Sequence, residues 1–174
     1  QRHWMEITYH KQIGDWYWYD LEYWGLDYPP LTAYVSYICG WLSHSLVGPE
    51  TVALESSRGY EDPNHKAFMR STVLFLDLLI YGSAVWYSST YHHKHHQRQQ
   101  TDPKKEQHQW IWTVLIALCQ PAIVLIDHGH FQYNTVALGL ALSAMFAITR
   151  DTFSSCLRGS LLFCLALNFK QMSL

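Results

Sequence analysis

The apolar residues of this chain fall in blocks separated by charged stretches. The clearest block, Ser71 to Tyr91, has about the length that crosses a hydrocarbon core at roughly 1.5 Å per residue. Its lone acid is Asp77, and Tyr81, Trp86 and Tyr87 thicken its second half. A second block runs from Trp110 to Ile126, opened by Trp110 and Trp112 and interrupted at Pro121, where a kink is expected. Thr135 to Ile148 forms a third, short for a crossing, and a fourth begins near Leu161. Leu31 to Val47 is long enough to consider, but Thr32, Ser36, Ser43, His44 and Ser45 spoil it as a lipid-facing span. An amphipathic helix lying in the interface is expected there. The pattern predicts an all-α chain, a multi-pass membrane helix bundle with a long polar loop and interfacial helices.

Lysine and arginine set the orientation. Residues 92–109 join two spans and hold Lys94, Arg98, Lys104 and Lys105 beside five histidines, so the positive-inside rule places them in the cytosol. The expected organisation is a loop with interfacial helices (1–70), a span (71–91), a cytosolic loop (92–109), a span (110–126), a turn (127–134), a span (135–149), a cytosolic loop (150–158) and the start of a further span (159–174). Loop 1–70 and turn 127–134 then share the face opposite the cytosol.

Composition adds exclusions. A hydrophobic content of 49% would suit a water-soluble domain, but the average hides the blocks. The net charge of −2, with no basic face interleaved with aromatics, argues against nucleic acid as a partner. Cys39, Cys119, Cys156 and Cys164 are scattered without a CxxC pair and read as inert thiols. The chain opens on Gln1 without a Met and stops four residues after Lys170 in an apparent helix, so an internal piece of a longer protein is expected.

Two segments carry candidate chemistry. Trp16 to Leu31 packs aromatics, acids and Pro29-Pro30 into one stretch, suited to the headgroup level, where amphipathic rings are stable. Asp27 is its most constrained acid because the prolines fix the backbone after it; it can bind hydroxyls, act as a base, or simply hold a turn. The run from Asp127 to Asn134 offers a carboxylate, two imidazoles and two carboxamides, with Gly129 for a tight bend. It can bind a phosphate or sugar hydroxyls, or cap two helix ends, with Asn134 as an N-cap. His128 and His130 have poor metal-ligand spacing, so no metal or cofactor is expected. The tract His92-His93-Lys94-His95-His96 reads as a solvated loop. Asp77, inside the hydrocarbon region, is either functional or bonded to a neighbouring helix.

Several stretches resemble the endoplasmic-reticulum glucosyltransferases of asparagine-linked glycan assembly. They are Gln1 to Glu6, Trp24 to Tyr34, Ser57 to Tyr60, Asp127 to Asn134 and Asn168 to Met172, in order and over nearly the whole chain. Only 92–109 has no counterpart. The Leu26-Asp27-Tyr28-Pro29-Pro30 core suits the members adding the first or second glucose; Leu31 to Tyr34 and Lys170-Gln171-Met172 favour the first. The resemblance implies a GT-C bundle in the endoplasmic reticulum membrane, with its active site on the luminal face. It implies dolichyl-phosphate glucose as donor and a dolichyl-pyrophosphate-linked oligosaccharide, Man9GlcNAc2, as acceptor, joined in an alpha-1,3 linkage with inversion. It also implies a base carboxylate in a Gly-Asp-aromatic-Glu-Ala lead-in ahead of Gln1, which these residues lack, so this chain alone should be inactive and its catalytic residue stays unassigned. Arg2, His3, Glu6, Asp27 and Tyr28 would line the luminal loop near that base, with His128, His130, Gln132 and Asn134 facing the donor phosphate or sugar. From the residues alone, a transporter with broken helices and a non-catalytic membrane subunit remain open.

Overall fold

The computed structural model describes residues 1–96 and 103–171, so the centre of the 92–109 loop and the last three residues lie outside it. Among the described residues every regular element is helical. Helix α1 spans Arg2–His10 and a 3-10 turn covers Ile13–Asp15; α2 spans Pro30–Leu46, followed by a second 3-10 turn at Pro49–Val52. Helix α3 (Pro63–Leu76) runs through a π segment, Asp77–Gly82, into α4 (Ser83–His96). Then come α5 (Pro103–Leu118), a π segment at Ile123–His128, α6 (Asn134–Ile148) and α7 (Phe153–Phe169).

Local sequence explains the boundaries. Proline opens α2, α3 and α5, where its missing N–H costs nothing. Asp62 caps α3 by accepting from the backbone N–H groups of Asn64 and His65. Thr152 and Ser155 form a reciprocal capping box that starts α7 at Phe153, inside the stretch whose charge pattern suggests a loop at 150–158. The chain leaves helical geometry at Gln120, the residue that Pro121 disfavours in the α region, and so breaks where a kink is expected.

Two helices are long and apolar enough to cross a membrane, Pro63–Tyr91 (29 residues) and His108–His128 (21 residues). Their outward faces carry Leu74, Phe75, Leu78, Leu79, Trp86, Ile111, Trp112, Leu115, Ile116 and Leu125, while Asp77 and Asp127 are buried. Large apolar side chains outside, with both acids turned inward, are unlike the surface of a water-soluble bundle. Helix α2 shows a similar arrangement: Thr32, Ser36, Cys39, Gly40 and Ser43 face inward, and Tyr34, Tyr37, Ile38 and Trp41 form an exposed apolar ridge. Gly40 lets α1 approach, since a Cβ there would lie 2.8 Å from the Met5 carbonyl oxygen.

Three apolar clusters tie loop to helices. Ile7, Trp16, Leu26 and Ala33 pack together, as do Met5, Cys39, Val52 and Met69. A third cluster of Val73, Tyr133, Val136, Ala137 and Phe169 lies where α3, α6 and α7 meet, and Phe131 packs against both it and the Met5 cluster. Loop 1–62 and turn 127–134 therefore lie at the same end of the helices.

Candidate functional site

Three polar clusters are built by these elements. The first centres on Glu6, whose side chain is wholly buried on α1. Arg2 and His3 sit one turn earlier and reach back to it. Glu6 Oε1 accepts the Glu55 backbone N–H at 2.6 Å, and Oε2 accepts from Ser57 Oγ at 3.1 Å, His3 Nδ1 at 3.1 Å and Arg2 Nη1 at 3.4 Å. Burial alone would raise the Glu6 pKa, but the Glu55 N–H and the His3 and Ser57 contacts outweigh it and hold the carboxyl below its ordinary range. These bonds pin the 53–58 loop onto α1. Both Glu6 carboxylate oxygens are thus engaged by the protein itself.

Around it, Arg58 pairs with Asp20 and lays its guanidinium over Tyr23, 4.4 Å from the ring centroid. Asp20 adopts a left-handed backbone (φ 54°), which a short polar side chain tolerates. His3 Nε2 lies 3.6 Å from Asp20 Oδ2. A cavity of about 290 Å³ opens beside these groups, lined by Gln1, Arg2, His3, Trp4, Tyr23 and Trp24. Rings beside cationic and imidazole groups suit a sugar, whose faces stack and whose hydroxyls bond.

The second cluster joins the loop to the turn. Lys170 leaves α7 in extended geometry and is buried. Its Nζ donates to Gln132 Oε1 at 3.1 Å and to the Asn134 side-chain oxygen, and lies 4.7 Å from the Tyr28 ring centroid. Thr32 Oγ1 donates to the Phe169 carbonyl at 2.5 Å, fixing the end of α7 against α2. Beneath them the Asp127 carboxylate accepts Asn134 Nδ2 at 2.5 Å and the Thr135 backbone N–H at 2.7 Å. Asp127 thus satisfies the start of α6 from a distance, whereas Asn134, the expected N-cap, is the first helical residue. The sharp bend falls at Phe131 (φ 56°) rather than at Gly129, which stays helical.

The third cluster is a pair. His128 Nε2 hydrogen-bonds Asp77 Oδ2 at 2.9 Å, linking the two long helices through their π segments. Asp77 thus makes the bond to a neighbouring helix that was one of its two readings, and His128 is its partner. His130 and Asp27 are exposed. Of the expected site residues, Arg2, His3 and Glu6 come together, and Tyr28, Gln132 and Asn134 come together around Lys170. Lys170 is the member that sequence reasoning missed. Its signal was a lysine closing an otherwise apolar helix.

The geometry defines a helical chain with apolar outward faces and a polar junction at one helix end. The family model of the ALG6, ALG8 glycosyltransferases matches residues 1–174, and the chain belongs to that family. It is 47% identical over its full length to the dolichyl pyrophosphate Man9GlcNAc2 alpha-1,3-glucosyltransferase of Gallus gallus. It is 45% identical to the enzyme of that name from Saccharomyces cerevisiae and 43% to the probable one from Schizosaccharomyces pombe, again over the whole chain. The chain spans about a third of the length of these relatives: 32%, 30% and 32%.

Proposed function

We propose that the whole protein is an inverting glucosyltransferase that moves glucose from dolichyl-phosphate glucose to dolichyl-pyrophosphate-linked Man9GlcNAc2 in an alpha-1,3 linkage. In this reading the present chain builds part of the substrate-facing end of a GT-C bundle in the endoplasmic reticulum membrane. The observation that carries it is the family match over residues 1–174, which includes every residue of the loop–turn junction. Segments 1–70 and 127–134 face the lumen, and 92–109 and 150–158 the cytosol. Arg150 and Arg158 line one cavity of about 410 Å³ at the far end of α6 and α7 from Lys170, which supports that polarity.

The reaction is a single in-line displacement. The acceptor hydroxyl oxygen bonds glucose C1, the bond from C1 to the phosphate oxygen breaks, and its electron pair stays on the phosphate. The hydroxyl proton goes to a carboxylate in the segment ahead of Gln1. Arg2, His3, Tyr23 and Trp24 line space for sugar; Asp27, Tyr28, Gln132, Asn134 and the exposed His130 border the junction; Glu6 and His128 support from behind.

An in vitro transfer assay on the full-length protein with these two lipids tests the activity. Replacing the upstream Asp by Asn is expected to abolish transfer; transfer that survives it defeats the mechanism. For the topology, single cysteines at positions 20 and 130 should be labelled from one side of sealed microsomes and at position 100 from the other. Labelling of all three from one side would refute it.

A further inference from the structure

Lys170 poses an electrostatic problem that the described residues leave unsolved. Its ammonium is buried, only 6% exposed, yet among the described residues no carboxylate pairs with it. Its polar partners are two neutral carboxamide oxygens, from Gln132 and Asn134, and a tyrosine ring. The nearby Asp127 carboxylate is spent on Asn134 Nδ2 and the Thr135 N–H. The carbonyl end of α7 offers about half a unit of negative charge. A buried cation without an anion is costly, and the cost is removed when an anion arrives. Lysine has three donors, and the described residues engage two. Among the described residues, one N–H and most of the positive charge remain for a ligand that settles among the half-buried Tyr28, Gln132 and Asn134.

We infer that Lys170 binds the phosphate of the lipid-linked donor sugar, with Gln132, Asn134 and Tyr28 holding its ammonium in place. This rests on the proposed transfer reaction and names the group that meets its leaving phosphate. Two sources of the same chemistry exist, the donor phosphodiester and the acceptor pyrophosphate, and the reaction separates them. When the bond from C1 to oxygen breaks, the donor phosphate passes from one negative charge toward two, while the acceptor pyrophosphate is unchanged. A fixed cation at the donor phosphate therefore binds the transition state more tightly than the ground state and raises kcat as well as affinity. Thr32, through its bond to the Phe169 carbonyl, is a positioning residue for Lys170.

The test uses full-length enzyme, titrating dolichyl-phosphate glucose and the Man9GlcNAc2 lipid separately. Dolichyl phosphate, the product without sugar, serves as competitor. Lys170→Met is expected to lower donor kcat/KM by about 100-fold, shared between kcat and KM, and to weaken inhibition by dolichyl phosphate, with acceptor KM unmoved. Lys170→Arg should recover a large part. Gln132→Glu places a carboxylate on Lys170, so it should keep or raise thermal stability while raising donor KM about tenfold or more. A lysine that merely closes the fold predicts the opposite for Gln132→Glu, an unchanged donor KM, and that outcome overturns the inference even if Lys170→Met fails to fold. A rise confined to acceptor KM also overturns it. If wild-type enzyme transfers nothing from dolichyl-phosphate glucose, the functional reading fails instead. Lys170 is then judged by whether dolichyl phosphate raises the thermal midpoint of wild type but not of Gln132→Glu.

Discussion

Removing the Glu6 carboxylate should loosen the whole amino-terminal loop. Glu6→Ala leaves the Glu55 N–H, the Ser57 hydroxyl and the His3 and Arg2 donors without their shared acceptor, in a place where water cannot replace it. Breaking a buried charged network in this way costs about 3–5 kcal/mol. Glu6→Gln keeps the size and one acceptor for the Glu55 N–H, but sets an NH2 against donors, so about 1–3 kcal/mol is expected. The pH dependence follows from the lowered carboxyl. A group whose folded pKa lies below its ordinary value of 4.5 stabilises fully above that value and loses the contribution as pH falls through the folded one. Thermal unfolding of full-length protein in detergent, followed by tryptophan emission, should order the midpoints wild type, Glu6→Gln, Glu6→Ala near neutral pH. The gap between wild type and Glu6→Gln should close on acidification below 4.5. Equal midpoints for wild type and Glu6→Ala, or a gap that widens in acid, would refute the reasoning.

Two further outcomes are expected. Gly139→Ala should cost about 1–3 kcal/mol because the new methyl would sit 2.7 Å from Tyr81 Cα, backbone that cannot yield without separating α6 from the first long helix. Leu138→Ala on the exposed side serves as control, and a midpoint equal to that control would contradict the close packing. Asp77→Asn and His128→Asn, alone and together, should be non-additive in stability by about 0.5–3 kcal/mol. Strict additivity would show that the pair does not couple the two helices.

The long helices were legible from their long apolar blocks, and the blocks at 71–91 and 110–126 fall within the two long helices observed. Loop and turn do meet, as two segments expected on one face of the helices should. What could not be read was which polar group partners which. His128 and Asn134 look equivalent as site candidates in sequence. A π turn directs the first to Asp77, and the bend at Phe131 sends the second to Lys170. Glu6 resembles the other loop acids, and only the return of residues 53–58 onto α1 shows that it is enclosed. Trp16 and Trp18 look alike in sequence, yet the first is buried beside Leu26 and the second faces outward, a choice made by tertiary packing.

The π segment at Asp77–Gly82 amounts to one surplus residue stored in the first long helix. At about 100° per residue, an uninterrupted α-helix would place Val85 about 120° round the axis from Val73; absorbing one residue brings it back to about 20°. Both side chains are indeed buried. Shortening the chain by one residue inside this bulge would therefore iron it into plain α-helix and keep every side chain beyond it facing its present neighbours, whereas ironing it out at full length would swing them by about 100°. Insertions and deletions here are not interchangeable with those in a loop, because this irregularity acts as the phase adjuster between the two halves of the helix.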